Sequence, residues 1–80
     1  MSTDNDDLIY TNIDIGKHIA KLRKAKNLSM YKLAINSGIS NSVLMRVEKG
    51  HREPKINTLL RIIDGLGLSP TDFFKPFRNH

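Results

Sequence analysis

A single glycine between two serine-led apolar stripes constrains this chain more than any other feature. From Ser29 to Glu48 the order is Ser-Met-Tyr-Lys-Leu-Ala-Ile-Asn-Ser-Gly-Ile-Ser-Asn-Ser-Val-Leu-Met-Arg-Val-Glu. Ser29 and Ser40 are N-cap residues, whose hydroxyls accept from amides that the first turn of a helix leaves unpaired. Gly38 falls where the chain must turn sharply between the two helices, and a positive φ there costs glycine almost nothing. In the first helix Leu33 and Ala34 face inward, and Ala34 is small enough for a second helix to approach closely. Leu44 and Val47 lie three apart in the second helix and share a buried stripe. Asn41, Ser42, Met45, Arg46 and Lys49 are left on its free face.

Punctuation along the rest of the chain yields three more helices. Residues 1–12 are mostly polar and acidic, and a flexible tail is expected there, with Leu8, Ile9 and Tyr10 as its apolar exceptions. Asn12 or Asp14 is placed to cap a first helix running to about Lys26, with Ile15, Ile19 and Leu22 on one stripe and Lys17, Lys21 and Lys24 outward. Asn27 ends that helix, and Leu28 fills the gap before Ser29. Gly50 and Pro54 mark Lys49 to Lys55 as a loop. Ile56, Leu59, Leu60 and Ile63 then recur at helical spacing and predict a fourth helix ending near Gly65 and Gly67. Ser69-Pro70 reads as an N-cap followed by a first-turn proline, opening a short fifth helix through Phe74 that Pro76 stops. No strand-like alternation and no internal repeat is present. The expected fold is all-α: one compact five-helix domain over residues 13–80, its two-helix unit at about 29–48.

Composition narrows the chemistry. Eighty residues make one domain, with a core that is marginal without compact helical packing or a partner subunit. Cysteine is absent, which removes disulfides, iron–sulfur clusters and thiolate zinc sites. His18, His51 and His80 fall on separate segments without helical pairing, so no metal or cofactor is expected. No serine lies in a strained glycine elbow with a matched histidine and aspartate, and an enzyme is not expected either. No apolar run approaches the ~20 residues of a membrane helix, and the N-terminus is acidic rather than signal-like, so a cytoplasmic protein without a membrane partner is expected. The net charge of +5 hides an asymmetry. Residues 15–80 hold thirteen basic residues against four acidic ones, a net +9. A basic globule behind an acidic segment points to a polyanionic partner.

Particular residues carry a family likeness: Ile15-Gly16-Lys17-His18-Ile19 with Leu22-Arg23, Leu28-Ser29, Leu33-Ala34, Gly38-Ile39-Ser40 and Arg46-Val47-Glu48-Lys49-Gly50. Pro54, Thr58-Leu59-Leu60, Gly65 to Ser69 and Asp72-Phe73-Phe74 continue it. Over roughly residues 14–75 the chain resembles the lambda-repressor-like family (Cro/repressor or XRE type) of helix-turn-helix DNA-binding proteins. The resemblance implies that the helix after Ser40 enters the major groove, with Asn41, Ser42, Met45 and Arg46 as the base-contacting candidates. The chemistry agrees: Arg can bond guanine N7 and O6 together, Asn can do the same with adenine, and Met can cover a thymine methyl group. Phosphate contacts are expected from the start of the preceding helix, at Ser29, Met30 and Tyr31, and from Lys49, His51, Arg52 and Lys55 of the following loop. Met30 departs from the family, which usually has Gln at that position. The resemblance also implies a structural ion pair between Arg23 and Glu48. It further implies a homodimer on two-fold operator DNA, for which Phe74 and Phe77, with the fourth and fifth helices, are the interface candidates. No small-molecule ligand is implied. Small phage repressors and the controller proteins of restriction–modification systems are the kinds most resembled. The alternative is an antitoxin-like protein-interaction module with secondary DNA binding, for which the acidic tail would be the partner-wrapping segment.

Overall fold

Nearly every helix of this chain starts and stops on local chemistry. The computed structural model describes residues 10–77, in the order α1 (Asn12–Ala25), α2 (Met30–Ser37), α3 (Asn41–Glu48), α4 (Ile56–Gly65) and α5 (Pro70–Phe74), followed by a 3-10 turn, Lys75–Phe77. Ser29, Ser40 and Ser69 cap α2, α3 and α5, each hydroxyl accepting from an amide three residues on at 3.0–3.1 Å. Thr11, rather than Asn12 or Asp14, caps α1. Its hydroxyl accepts from the Ile13 and Asp14 amides while the Asp14 carboxylate accepts from the Thr11 amide at 2.9 Å, a reciprocal capping box. Asp14 is thus the third helical residue and Asn12 the first. At their other ends α1 to α4 share one device. A left-handed residue (Asn27, Gly38, Gly50 or Gly67) lets the next amide bond back five residues, as in Ile39 to the Ala34 carbonyl at 3.1 Å. Leu28, Ile39 and Leu68, each just past such a turn, pack against the core.

The packing crosses the chain: α1 lies on α3, and α2 on α4. Each crossing has a glycine at its closest point. A Cβ on Gly16 of α1 would overlap the carbonyl oxygens of Val47 and Glu48, so α1 rests on the last turn of α3 backbone to backbone. A Cβ on Gly65 of α4 would overlap Ser37 at the end of α2. Between these contacts lie Ile19, Leu33, Ala34, Leu44, Val47, Leu59, Ile62, Ile63, Leu66 and Phe73, all buried. The inward face of α4 is rotated from the expected stripe. Leu59 and Ile63 are buried as expected, but Ile62 joins them, while Ile56 is 70% and Leu60 44% exposed. The spacing of Ile56 and Leu60 is helical, yet they belong to a second, solvent-facing apolar row.

Aromatic rings close the base of the domain. Phe73 is buried, and its carbonyl accepts from His18 Nε2 on α1 at 2.8 Å, which fixes the imidazole proton on that nitrogen. Phe77 is half-buried, with ring centroids 5.1 Å from both Tyr10 and His18. Tyr10 to Asn12 therefore belong to the domain rather than to the expected tail, whose remaining residues, 1–9, lie outside the described ones. The α-helical part of α5 ends at Phe74, as Pro76 leads one to expect. Pro76 itself sits inside the 3-10 turn that carries Phe77 back toward α1.

Ser37 is buried and its hydroxyl has no hydrogen-bond partner among the described residues. An unpartnered buried hydroxyl is a cost that alanine removes. Ser37→Ala should leave the urea midpoint unchanged or raise stability by up to about 1 kcal/mol. A loss of that size instead would mean that the hydroxyl is bonded in solution.

Candidate nucleic-acid interface

The geometry that presents α3 is set from behind, at Arg23 and Glu48. Arg23 Nε donates to Glu48 Oε2 at 2.7 Å and Nη2 to Oε1 at 3.1 Å, a two-pronged pair between α1 and α3. The remaining guanidinium nitrogen, Nη1, donates to the Leu28 carbonyl at 2.9 Å. One side chain thereby ties α1, the entry to α2 and the last turn of α3. The pair is shielded, the side chains being 12% and 5% exposed. A second tie reaches the turn itself, where Arg61 of α4 donates to the Gly38 carbonyl at 3.4 Å.

On the opposite side of α3 nothing is tied. Asn41, Ser42, Met45 and Arg46 share one exposed face, continued by Lys49 just past the helix. Among the described residues none of these five side chains has a hydrogen bond or an ion pair. Ser40 occupies the Val43 amide, leaving the amides of Asn41 and Ser42 open at the positive end of the helix. The start of α2 is built alike. Ser29 takes the Lys32 amide, so the amides of Met30 and Tyr31 are open, while the Met30 side chain turns inward to the core and Tyr31 is 68% exposed. Beyond α3 the loop adds His51, Arg52 and Lys55, half to fully exposed and also without ion-pair partners among the described residues. The arrangement thus offers free side-chain donors on a short helix, with open amides and cations beside it, on one side of the domain. Phe74 and Phe77 stand apart from this surface, on the aromatic base.

A helix-turn-helix family profile matches residues 19–73. The chain belongs to the lambda-repressor-like helix-turn-helix family. It is 32% identical over 62 residues to y4dJ of Sinorhizobium fredii, an uncharacterised HTH-type transcriptional regulator, covering 78% of this chain and 80% of that one. With the HTH-type transcriptional regulator SlrR of Bacillus subtilis it shares 36% identity over 61 residues, 75% of this chain but 40% of SlrR. Among solved structures it is similar to the restriction–modification controller protein C.AhdI from Aeromonas hydrophila. That match has a TM-score of 0.75 at 32% identity and covers 79% of this chain and 96% of the other. The controller protein C.Esp1396I, as a tetramer in complex with its natural 35 base-pair operator, matches with a TM-score of 0.79 at 26% identity over 81% and 86% of the two chains. These are DNA-binding transcriptional regulators, not members of an enzyme family.

Some features of this helix-turn-helix domain lie beyond the sequence expectations. The Thr11-x-x-Asp14 capping box was legible as a motif, since threonine followed three residues later by a carboxylate is its signature. The Leu28 carbonyl as a partner of Arg23, and Asn12 donating to the Gly50 carbonyl at 2.8 Å, carry no sequence signal because both end on backbone oxygens. Among the described residues no group of three or more potential ligands could hold a metal ion, and no helix is long and apolar enough to cross a membrane.

Because the Arg23–Glu48 pair is shielded, removing one partner strands a charge. Glu48→Ala should cost about 3–5 kcal/mol in urea unfolding, whereas Arg23→Met combined with Glu48→Leu should cost far less. Equal losses for the single and double variants would show that the pair itself, not the stranded charge, carries the stability.

Proposed function

We propose that this chain is a sequence-specific duplex-DNA-binding transcriptional regulator, of the repressor or controller kind, acting as a homodimer on a two-fold operator. The observation that carries the reading is the free face of α3: Asn41, Ser42, Met45 and Arg46, all exposed, their side chains without a hydrogen bond or ion pair among the described residues, on a helix braced from behind. Arg46 and Asn41 are the residues with paired hydrogen bonds to offer, to guanine and adenine respectively. Ser42 reads less sharply, and Met45 takes a thymine methyl group. Ser29, Met30 and Tyr31 hold one phosphate through the start of α2. Lys49, His51, Arg52 and Lys55 hold another stretch of backbone. The operator complex of the similar controller protein supports DNA as the partner and assembly on it.

Base readers and phosphate holders separate experimentally. Arg46→Ala and Asn41→Ala should each lose about 1–3 kcal/mol at a selected site while leaving random DNA nearly unaffected. Arg52→Ala should weaken binding to all sequences and lower the salt slope by about one unit per lost phosphate contact. Selection from random duplex DNA supplies the site, and equal losses on both kinds of DNA for Arg46→Ala would remove it from the base readers.

Dimerisation follows from the small footprint of one recognition helix. Two copies about a two-fold axis require half-sites about 10–10.5 base pairs apart, or a multiple of that. The surface left for pairing is α4 and α5, where Ile56, Leu60 and Phe74 are exposed. Phe74 and Phe77 were the sequence candidates. Phe77 is a poor probe, because its ring packs within its own domain on Tyr10, His18 and Phe73. Leu60→Asp is the cleaner change. It should shift sedimentation toward monomer and weaken operator binding with the helical circular dichroism intact. A wild-type monomer at micromolar concentration that binds a single half-site equally well would overturn the dimer.

A further inference from the structure

Past Gly50, the basic loop is held by almost nothing of its own. Among the described residues the backbone amides of Arg52, Glu53 and Lys55 donate no hydrogen bond, and Pro54 has none to donate. An open groove of about 440 Å³ lies between the loop and α1, bounded by Tyr10, Thr11, Asn12 and Ile15 on one side and Glu53, Pro54 and Leu59 on the other. At its far end the loop is fixed by α4, whose N-cap is Lys55, with the Lys55 carbonyl accepting from the Leu59 amide at 2.9 Å. The course of His51 and Arg52 is set where the loop leaves α3. There Gly50 adopts φ +74°, the His51 amide bonds back to the Arg46 carbonyl at 2.9 Å, and Asn12 Nδ2 donates to the Gly50 carbonyl at 2.8 Å. Ile13 stands so close that a Cβ on Gly50 would overlap its side chain. Asn12 is itself fixed, as the first residue of a helix whose start is locked by Thr11 and Asp14.

We infer that Asn12 is a positioning residue for DNA phosphate binding: by holding the Gly50 carbonyl it sets the direction in which His51 and Arg52 leave the recognition helix. The inference rests on the proposed reading of this loop as a phosphate holder. Its chemistry is specific to a neutral donor. Alanine leaves the Gly50 carbonyl without its side-chain donor, and aspartate, though favourable in a first helical turn, sets a carboxylate against it.

The test measures binding of the full chain to labelled random-sequence duplex between 50 and 200 mM salt, for the wild type, Asn12→Ala, Asn12→Asp, Arg52→Ala and the Asn12→Ala/Arg52→Ala pair. Both Asn12 variants should lose about 3–10-fold in affinity and lower the salt slope by about one to two units. The double variant should lose less than the product of its singles, because both act through one loop. Hydrogen exchange on the free protein gives a readout that needs no DNA. The His51 amide should exchange faster in both Asn12 variants, with core amides such as those of Ile19 and Leu33 unchanged. Wild-type slope and wild-type His51 exchange in Asn12→Ala would overturn the inference, as would fully multiplicative losses in the double variant. An unchanged slope in Arg52→Ala would instead overturn the phosphate reading of the loop.

Discussion

The Arg23–Glu48 pair is the joint on which the presented surface depends. Two short helices with three residues between them have no fixed pose of their own, since most helical stability in proteins comes from packing. Arg23 supplies the pose by bonding both oxygens of Glu48 and the Leu28 carbonyl, so that α1 grips α3 and the entry to α2 together. A point charge could not do this. The planar fork of Arg meets a carboxylate on two parallel bonds and keeps a third nitrogen for the backbone. A hydrophobic pair of similar volume would hold the helices at no greater cost in energy, but without that angular definition.

Glycine makes the joint reachable. Gly16 lets α1 lie against the last carbonyls of α3, and Gly65 lets α4 approach Ser37 at the end of α2. Gly16, inside α1, costs about 1 kcal/mol in helix propensity relative to alanine, whereas Gly65 stands at the last position of α4. The return is that two helix pairs close onto one small core of ten buried apolar residues. A domain of this length has little surplus to spend on loose crossings.

Much of this was legible in the sequence because the boundaries are local. Ser29, Gly38, Ser40 and the Ser69-Pro70 step announced helix starts and stops by their own chemistry, and the exposed face of α3 followed from Leu44 and Val47 alone. The misread positions were those where two readings share one spacing. Ile56 and Leu60 keep helical period with Leu59 and Ile63, and only the tertiary position of α4 decides which row turns inward. The cap of α1 was misplaced by the same ambiguity, because Thr11, Asn12 and Asp14 are all capping types and only the bonds choose among them. Contacts onto backbone oxygens, from Asn12, Arg23 and His18, had no sequence signal at all.

The unbonded face of α3 also bears on how such a domain changes over time. The side chains of Asn41, Ser42, Met45, Arg46 and Lys49 contribute no hydrogen bond or ion pair to the described fold. Substitutions at exposed positions of that sort usually alter stability by no more than about 0.5 kcal/mol. The exposed side chains of the helix are thus uncoupled from the scaffold that carries them. Those positions can be exchanged one at a time without passing through an unfolded ancestor, whereas a single change at Gly16, Arg23 or Glu48 disturbs the crossing of α1 and α3.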